Sequence, residues 1–443
     1  MTVCSLAVLK ALLAHFEKVT KSAKGSLPKC IPTPTEALRS AIRCGKVATL
    51  DTLIGIWKEF DDIIYDGQEE VGAVLHYAAR YGSVDSMKWL WAQPNIATDV
   101  NKVVGCYGTP LQAAIVGNID VDVKVTCLLT WGADVSRKGG LTGTALNAAT
   151  AQLKIRVAKA ILERLNKGNV NIIAGQWGSP IEAVLSANEP NLSEGDVETW
   201  DMMDLLISKG VSAASQGGFW HTALHAAANA HALCTVKYLL KQKHVSKDER
   251  DLMGRLPLHL AAMRGHWEMV QELSSGNSTF LSEDHQGRNV LHMAAGLGRL
   301  SIVDKLLENV QIAYELINST DNDGWTPLHW ACHSASKEIV ELLLRRGASK
   351  TARTINKSWL PFHVAVYHGQ DFSDDLKVNA VPHNPDEAPP MLIYCSCCLC
   401  MIFGTLYKCM AKHVYCGDFN LCFKCYRHAS TIHFRDHRFS SVE

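Results

Sequence analysis

Net charge of either sign is what this chain lacks: in 443 residues, 44 Lys and Arg balance 44 Asp and Glu. A neutral chain offers no global field to draw in nucleic acid or an anionic membrane, so charge favours protein or peptide partners. Long apolar runs are missing too. Nowhere do eighteen apolar residues follow one another without interruption, which argues against a membrane-spanning helix. The apolar stretch Leu6 to Phe16 is broken by Lys10, follows no basic segment and runs into Glu17 and Lys18. It reads as an amphipathic helix (1–30) that caps the folded chain rather than as a secretory signal. Catalytic signatures are equally scarce: there is no Walker loop, no His-Glu-x-x-His and no Gly-x-Ser-x-Gly, so no enzyme is expected. The seven cysteines before Cys395 stand singly, four of them (Cys44, Cys127, Cys234, Cys332) in helical stretches. That is the usage of buried thiols in a reducing, cytoplasmic or nuclear, compartment.

What is present is a repeat. Thr222-Ala-Leu-His225-Ala-Ala, Leu256-Pro-Leu-His259-Leu-Ala-Ala, Asn289-Val-Leu-His292-Met-Ala-Ala, Thr326-Pro-Leu-His329-Trp-Ala and Leu360-Pro-Phe-His363-Val-Ala place their histidines 34, 33, 37 and 34 residues apart. Weaker copies precede them at His76, Gln112, Asn147 and Glu182, with a degenerate one around Glu36 to Ala41. Thr or Ser at the first position caps a helix, and Pro at the next suits a turn that needs no amide donor. Leu and the paired alanines then face a neighbouring repeat. A second apolar helix follows, as in Glu338 to Arg345, and three copies are preceded by a turn of the form Asp-x-x-Gly (Asp251, Asp284, Asp321).

These motifs resemble the ankyrin-repeat family, whose Thr-Pro-Leu-His signature Thr326 to His329 reproduces. The resemblance implies a solenoid of about ten repeats over 31–370, each a helix, a helix and a hairpin that is stable only when stacked. It also implies that the repeat histidines make structural hydrogen bonds between turns, and that partners meet the hairpin tips and the concave helix face. Tyr107, Trp177, Trp220, Trp325 and Trp359 each lie one or two residues before a capping position and form a candidate contact ridge. An acidic insertion, Glu189 to Thr199, stretches one repeat to 43 residues and is expected to project as a loop. Asp and Pro dominate from Asp371 on, and 371–393 reads as a linker with little regular structure.

Beyond that linker lie eight of the fifteen cysteines. Thiolates and imidazoles at two- and three-residue separations are what tetrahedral Zn²⁺ sites need. A segment this short cannot fold on its apolar core alone, and zinc binding supplies on the order of 10–16 kcal/mol in such peptides. Ile402-Phe-Gly404-Thr-Leu-Tyr407-Lys408-Cys409, Asp418-Phe-Asn-Leu421-Cys422-x2-Cys425 and His433-x3-His437 resemble the ZZ-type zinc finger, a cross-braced module. The resemblance implies one structural ion on Cys395, Cys398, Cys422 and Cys425 and a second on Cys409, Cys416, His433 and His437. Cys397 and Cys400 offer another first pair of the same spacing, against which the register of Ile402 and Gly404 speaks. His413 is an alternative to Cys416. Of the family's acidic peptide-binding positions Asp418 is kept, while Ser396 and Asn420 are neutral.

The expected protein is therefore mostly α: an ankyrin-repeat solenoid with a small C-terminal cross-braced ZZ-type domain (394–440), resembling multi-ankyrin proteins of the kind common in fungi. Its expected role is that of a monomeric, non-enzymatic scaffold or adaptor for protein partners, with two Zn²⁺ ions and neither nucleic-acid nor membrane binding. The alternative is a substrate adaptor or component of a ubiquitin ligase.

Overall fold

A computed structural model describes residues 73–367 apart from 94–98, 166–169, 188–196, 219 and 356–357, together with positions between 39 and 50, residue 376, and the strands near 64–72 and in 406–442. The chain divides into two compact units, one comprising Met1–Gly175 and the other beginning at Gln176.

In the first unit a short antiparallel hairpin, β1 (Ile64–Asp66) and β2 (Glu69–Gly72), precedes three helix pairs. They are α1 (Val74–Tyr81) with α2 (Val84–Trp91), α3 (Pro110–Val116) with α4 (Val121–Thr130), and α5 (Ala145–Ala151) with α6 (Ile155–Leu162). First helices stack on first helices, α1 on α3 and α3 on α5, and second helices follow suit. The paired alanines make this close stacking possible: Ala113, Ala114, Ala148 and Ala149 are all fully buried. Thr109 and Thr144 cap their helices by accepting from the amides of Gln112 (3.2 Å) and Asn147 (3.1 Å).

The second unit continues the same grammar. It contains α7 (Pro180–Ala187) and α8 (Val197–Ser208), the small hairpin β3 (Gln216–Gly217) and β4 (His221–Thr222), then α9 (Ala223–Asn229) and α10 (Leu233–Leu240). After these come α11 (Pro257–Arg264), α12 (Trp267–Leu273), the single turn α13 (Asn277–Phe280), α14 (Val290–Gly296), α15 (Leu300–Glu308), α16 (Val310–Leu316), α17 (Pro327–His333), α18 (Lys337–Arg345) and α19 (Pro361–Tyr367). The first helices α7, α9, α11, α14, α17 and α19 stack in order, and α10, α12, α15 and α18 form the second row. Each unit is thus a mostly helical stack of the expected kind, and eight complete helix pairs are present among the described residues. The copy around Glu36 lies largely outside them.

Two elements depart from the expected plan. The insertion beginning at Glu189 ends inside helix, since Val197 to Thr199 is the first turn of α8. The 37-residue interval between His292 and His329 is filled by α16, whose first turn is capped by Asn309 accepting from Gln311 (3.1 Å). In the C-terminal segment β5 (Leu406–Cys409) pairs with both β6 (Asn420–Cys422) and β7 (Phe439–Val442), with Leu406 opposite Cys422 and Cys409 opposite Phe439. Among the described residues no helix is long and apolar enough to cross a membrane.

Candidate protein-interaction surface

Two hairpin chemistries present the tips of the repeats. In the first unit the turns meet backbone to backbone. A Cβ on Gly140 (φ 62°) would stand 2.4 Å from the Gly108 amide nitrogen, and one on Gly143 (φ 78°) would stand 2.2 Å from the Ala174 carbonyl carbon. Only glycine fits there. In the second unit the same close approach recurs between Gly178 and Gly218, and from Asp251 on carboxylates organise the turns instead. Asp251 Oδ1 accepts from the amides of Met253 and Arg255, both at 2.9 Å, and Oδ2 pairs with the Arg255 guanidinium at 2.7 Å. Asp284 and Arg288 repeat this pair, with side chains 0% and 2% exposed. Asp321 has no arginine at that place; Trp325 stands there, and the Trp330 indole N–H donates to Asp321 Oδ2 at 3.2 Å. Neighbouring hairpins are joined by single backbone bonds of 2.9 Å: His285 N to Met253 O, Asn322 N to Gln286 O, and Ile355 N to Asp323 O.

Behind the tips lies the histidine row. His76, His225, His259, His292 and His329 are all 0% exposed. Nδ1 of His259, His292, His329 and His363 accepts from the amide of its own capping residue, Leu256 (3.0 Å), Asn289 (3.3 Å), Thr326 (3.1 Å) and Leu360 (3.0 Å). Nε2–H donates to the following repeat: His225 to Arg255 O (3.0 Å), His259 to Ser282 O (3.0 Å), His292 to Trp325 O (3.1 Å) and His329 to Trp359 O (3.1 Å). One neutral tautomer serves both bonds. Burial lowers the pKa of His76, His225, His259, His292 and His329 to about 4, which keeps them neutral. These histidines link turns, as the sequence reading expects, and none is presented to a substrate. Gln112 does the same work with an amide, Oε1 accepting from Thr109 N (2.8 Å) and Nε2 donating to Gly139 O (2.9 Å).

The other ends of the first helices are bound by cations. The Arg80 guanidinium donates to Val116 O, Lys124 Nζ to Ala79 O (3.1 Å), Lys154 Nζ to Gly117 O (2.7 Å), and Arg299 Nε to Met263 O (2.7 Å). Cations suit helix C-terminal carbonyls. Burial lowers the Lys124 amine to about 8.

The aromatic series is not uniform. Tyr107 is 2% exposed, with the Arg80 guanidinium 5.0 Å from its ring centre. Its ring therefore packs inward and offers no contact area. Trp177, Trp220, Trp325 and Trp359 are half-buried, with part of each residue open to solvent. Trp325 forms a cluster with Trp330 (5.1 Å between ring centres) and His333 (5.9 Å), and the Arg288 guanidinium lies 5.8 Å from the Trp330 ring. The recurring Asp-x-x-Gly turns were marked from sequence, but the partners of their carboxylates, Arg255, Arg288 and Trp330, were not, because burial and not spacing identifies them. Val310 (82% exposed), Tyr314 (83%) and Ile355 (68%) add apolar surface nearby in sequence. Asp418 and the ligands Cys395, Cys398, Cys416, Cys425, His433 and His437 lie outside the described residues, as do the side chains of Cys409 and Cys422.

This geometry agrees with what the chain is similar to. Residues 195–280, 268–354 and 291–376 match the family of ankyrin repeats in three overlapping copies. Residues 195–376 carry ankyrin repeats. An ankyrin repeat domain-containing protein, SAT10 of Stachybotrys chartarum, is 27% identical over 396 residues, which is 85% of this chain and 20% of that protein. The E3 ubiquitin-protein ligase KEG of Arabidopsis thaliana is 23% identical over 344 residues, 73% of this chain and 20% of its own length. The probable 26S proteasome regulatory subunit p28 of Saccharomyces cerevisiae is 34% identical over 116 residues, 26% of this chain and 50% of that protein. The chain spans about a fifth of the length of SAT10 and of KEG.

Proposed function

We propose that this protein is a non-enzymatic scaffold: its ankyrin repeats hold a protein partner, and its C-terminal segment, folded on two structural zinc ions as a ZZ-type finger, holds a second protein or peptide. Ankyrin repeats mediate protein–protein contact, and the observation that carries the reading is the hairpin row itself. Bonded tip to tip, backed by buried neutral histidines, it presents Trp325 and Trp359 half-open on consecutive repeats. Large rigid side chains on a preorganised base give contact area at low entropic cost.

For the finger, Cys395, Cys398, Cys422 and Cys425 would hold one ion and Cys409, Cys416, His433 and His437 the other, both closed by four protein ligands and so structural. The strand register supports keeping Cys409 and Cys422 apart. Cys422 sits opposite Leu406, three positions along the strand from Cys409, or about 10 Å. Two thiolates on one ion need to come much closer. Elemental analysis of protein prepared without chelator is expected to give two zinc ions per chain; a value near one would sink the paired-site reading. Affinity purification of wild type and Cys422→Ser then assigns partners. Those of the repeats persist and those of the finger disappear.

A second reading rests on the similarity to KEG and p28, whose names place them in ubiquitin transfer and in the proteasome. In it the repeats deliver a substrate to a separate ligase. Autoubiquitination by purified protein with a panel of conjugating enzymes separates the two: none is expected, and its presence would overturn the non-enzymatic assignment.

A further inference from the structure

The slot filled by histidine in six repeats holds a carboxyl group in α7. Glu182 is 1% exposed, and its Oε2 accepts from the Ser179 amide at 3.0 Å, as Gln112 Oε1 does from Thr109. The surroundings correspond in part. A Cβ on Gly108 would stand 2.5 Å from Gln112 Oε1 and 2.6 Å from the Gly139 carbonyl carbon and oxygen. A Cβ on Gly178 would stand 2.4 Å from Glu182 Oε2, 2.4 Å from the Gly218 amide nitrogen and 2.5 Å from the Gly217 carbonyl carbon. Gln112 turns its N–H toward the Gly139 carbonyl. The matching atom of Glu182, Oε1, is buried with no partner able to donate to it. A carboxylate oxygen buried without a donor is costly, and a proton on it would make it a donor, as the Gln112 amide nitrogen is.

We propose that Glu182 is held as a neutral carboxylic acid whose Oε1–H donates to the Gly217 carbonyl, and that this proton makes its repeat one that tightens on acidification. Burial drives the carboxyl well above its usual 4.5, opposed only by the Ser179 amide. The titratable groups on the elements packed against α7 are Glu198, Asp201 and Asp204 on α8 and His221 and His225 on β4 and α9; no charged neighbour contributes to the shift of the Glu182 carboxyl. The sign follows from linkage. Below about pH 4.5 folded and unfolded chains both hold the proton. Above it the unfolded chain releases the proton and the folded repeat keeps it, so the local folding constant falls about tenfold per pH unit until the folded-state pKa is reached, then levels off. The buried histidines work in the opposite direction, losing stability as pH falls from 6.5 toward about 4.

Comparison with Glu182→Gln cancels that histidine background, because glutamine supplies the same two bonds without titrating. Amide hydrogen exchange of α7 in the full-length protein, measured for both forms between about pH 5 and pH 8, reads local opening. The ratio of protection, variant over wild type, is expected to rise with pH, by up to about tenfold per unit for as long as the folded repeat keeps the proton. An infrared difference spectrum of the two proteins at neutral pH is expected to show one protonated carboxyl band lost in the variant. This second measurement also serves if Glu182→Gln fails to fold, since isotope-labelled wild type then reports the carboxyl directly. A protection ratio that does not change with pH, or a Glu182 carboxyl that reads as ionised at neutral pH, would overturn the proposal.

Discussion

At the scale of single residues, the buried histidines of the second unit tie their own capping turn to the next repeat. His292→Ala strands the Asn289 amide (3.3 Å from the ring in wild type) and cuts the ring's link to the Trp325 carbonyl (3.1 Å), which keeps its bond from the Asp321 amide; the orphaned amide costs about 1–3 kcal/mol. His292→Gln is expected to recover most of that loss, because Gln112 shows that an amide spans the same gap; urea titrations of the three proteins check it. Protonation acts on the whole row. With folded values about 4 against 6.5 unfolded, the contribution is complete above pH 6.5 and is lost as pH falls through about 4. Thermal melts should therefore decline below pH 6.5 before carboxylates titrate, and less in a variant with two histidines replaced by Gln. The Asp–Arg pairs make a second case. Arg288→Ala leaves Asp284 buried without its cation, with an expected cost of about 3–5 kcal/mol; replacing Asp284 as well would strand the Gln286 and Arg288 amides that donate to it. The histidine role was legible because His recurs at one register position. The ion pairs were not, since Asp and Arg four apart in a turn look like any exposed pair until burial is known.

At the scale of elements, the repeat period announced every first helix, from the capping Thr or Ser through the paired alanines. It was silent about α13 and α16. One is a single turn and the other seven residues long, too short for a periodic pattern to stand out from loop composition. The only trace of α16 was the 37-residue interval, and length alone says that something is inserted, not what. The contact ridge divides along the same line between pattern and packing. Tyr107 and Trp325 occupy similar positions before their caps, yet one is enclosed and the other half-open. Tyr107→Ala is expected to cost about 3–5 kcal/mol of folding free energy and to leave partner recovery from the folded fraction unchanged. Trp325→Ala should lose less stability and about 1–3 kcal/mol of binding. Thermal melts beside pull-downs distinguish them, and equal behaviour of the two variants would remove Trp325 from the interaction surface.

At the scale of the molecule, self-similarity made the architecture readable, because a solenoid is one local solution repeated and needs no long-range pairing to be guessed. For the C-terminal segment the sequence offers ligand spacing, on which the proposed zinc finger rests. A repeat array depends on its nearest neighbours and a metal site on its ion, so the two should fail independently. In strong chelator the circular dichroism of the helices is expected to persist while limited proteolysis begins after Met391. Collapse of the helical signal would show that the array and the finger share a core.

The single backbone bonds between hairpins, His285 to Met253, Asn322 to Gln286 and Ile355 to Asp323, have a mechanical consequence. They run from one repeat to the next, so a pull between the chain ends loads the junctions in series: all bear the same force, and the weakest gives way first. Under tension these repeats should peel off singly at low force. Each would release about 11–12 nm of chain, given 33 or 34 residues at roughly 3.3–3.6 Å apiece, and the repeat that carries α16 a little more. A partner spanning several tips would bridge those weak junctions, and its binding would register as a rise in the force at which the first one parts.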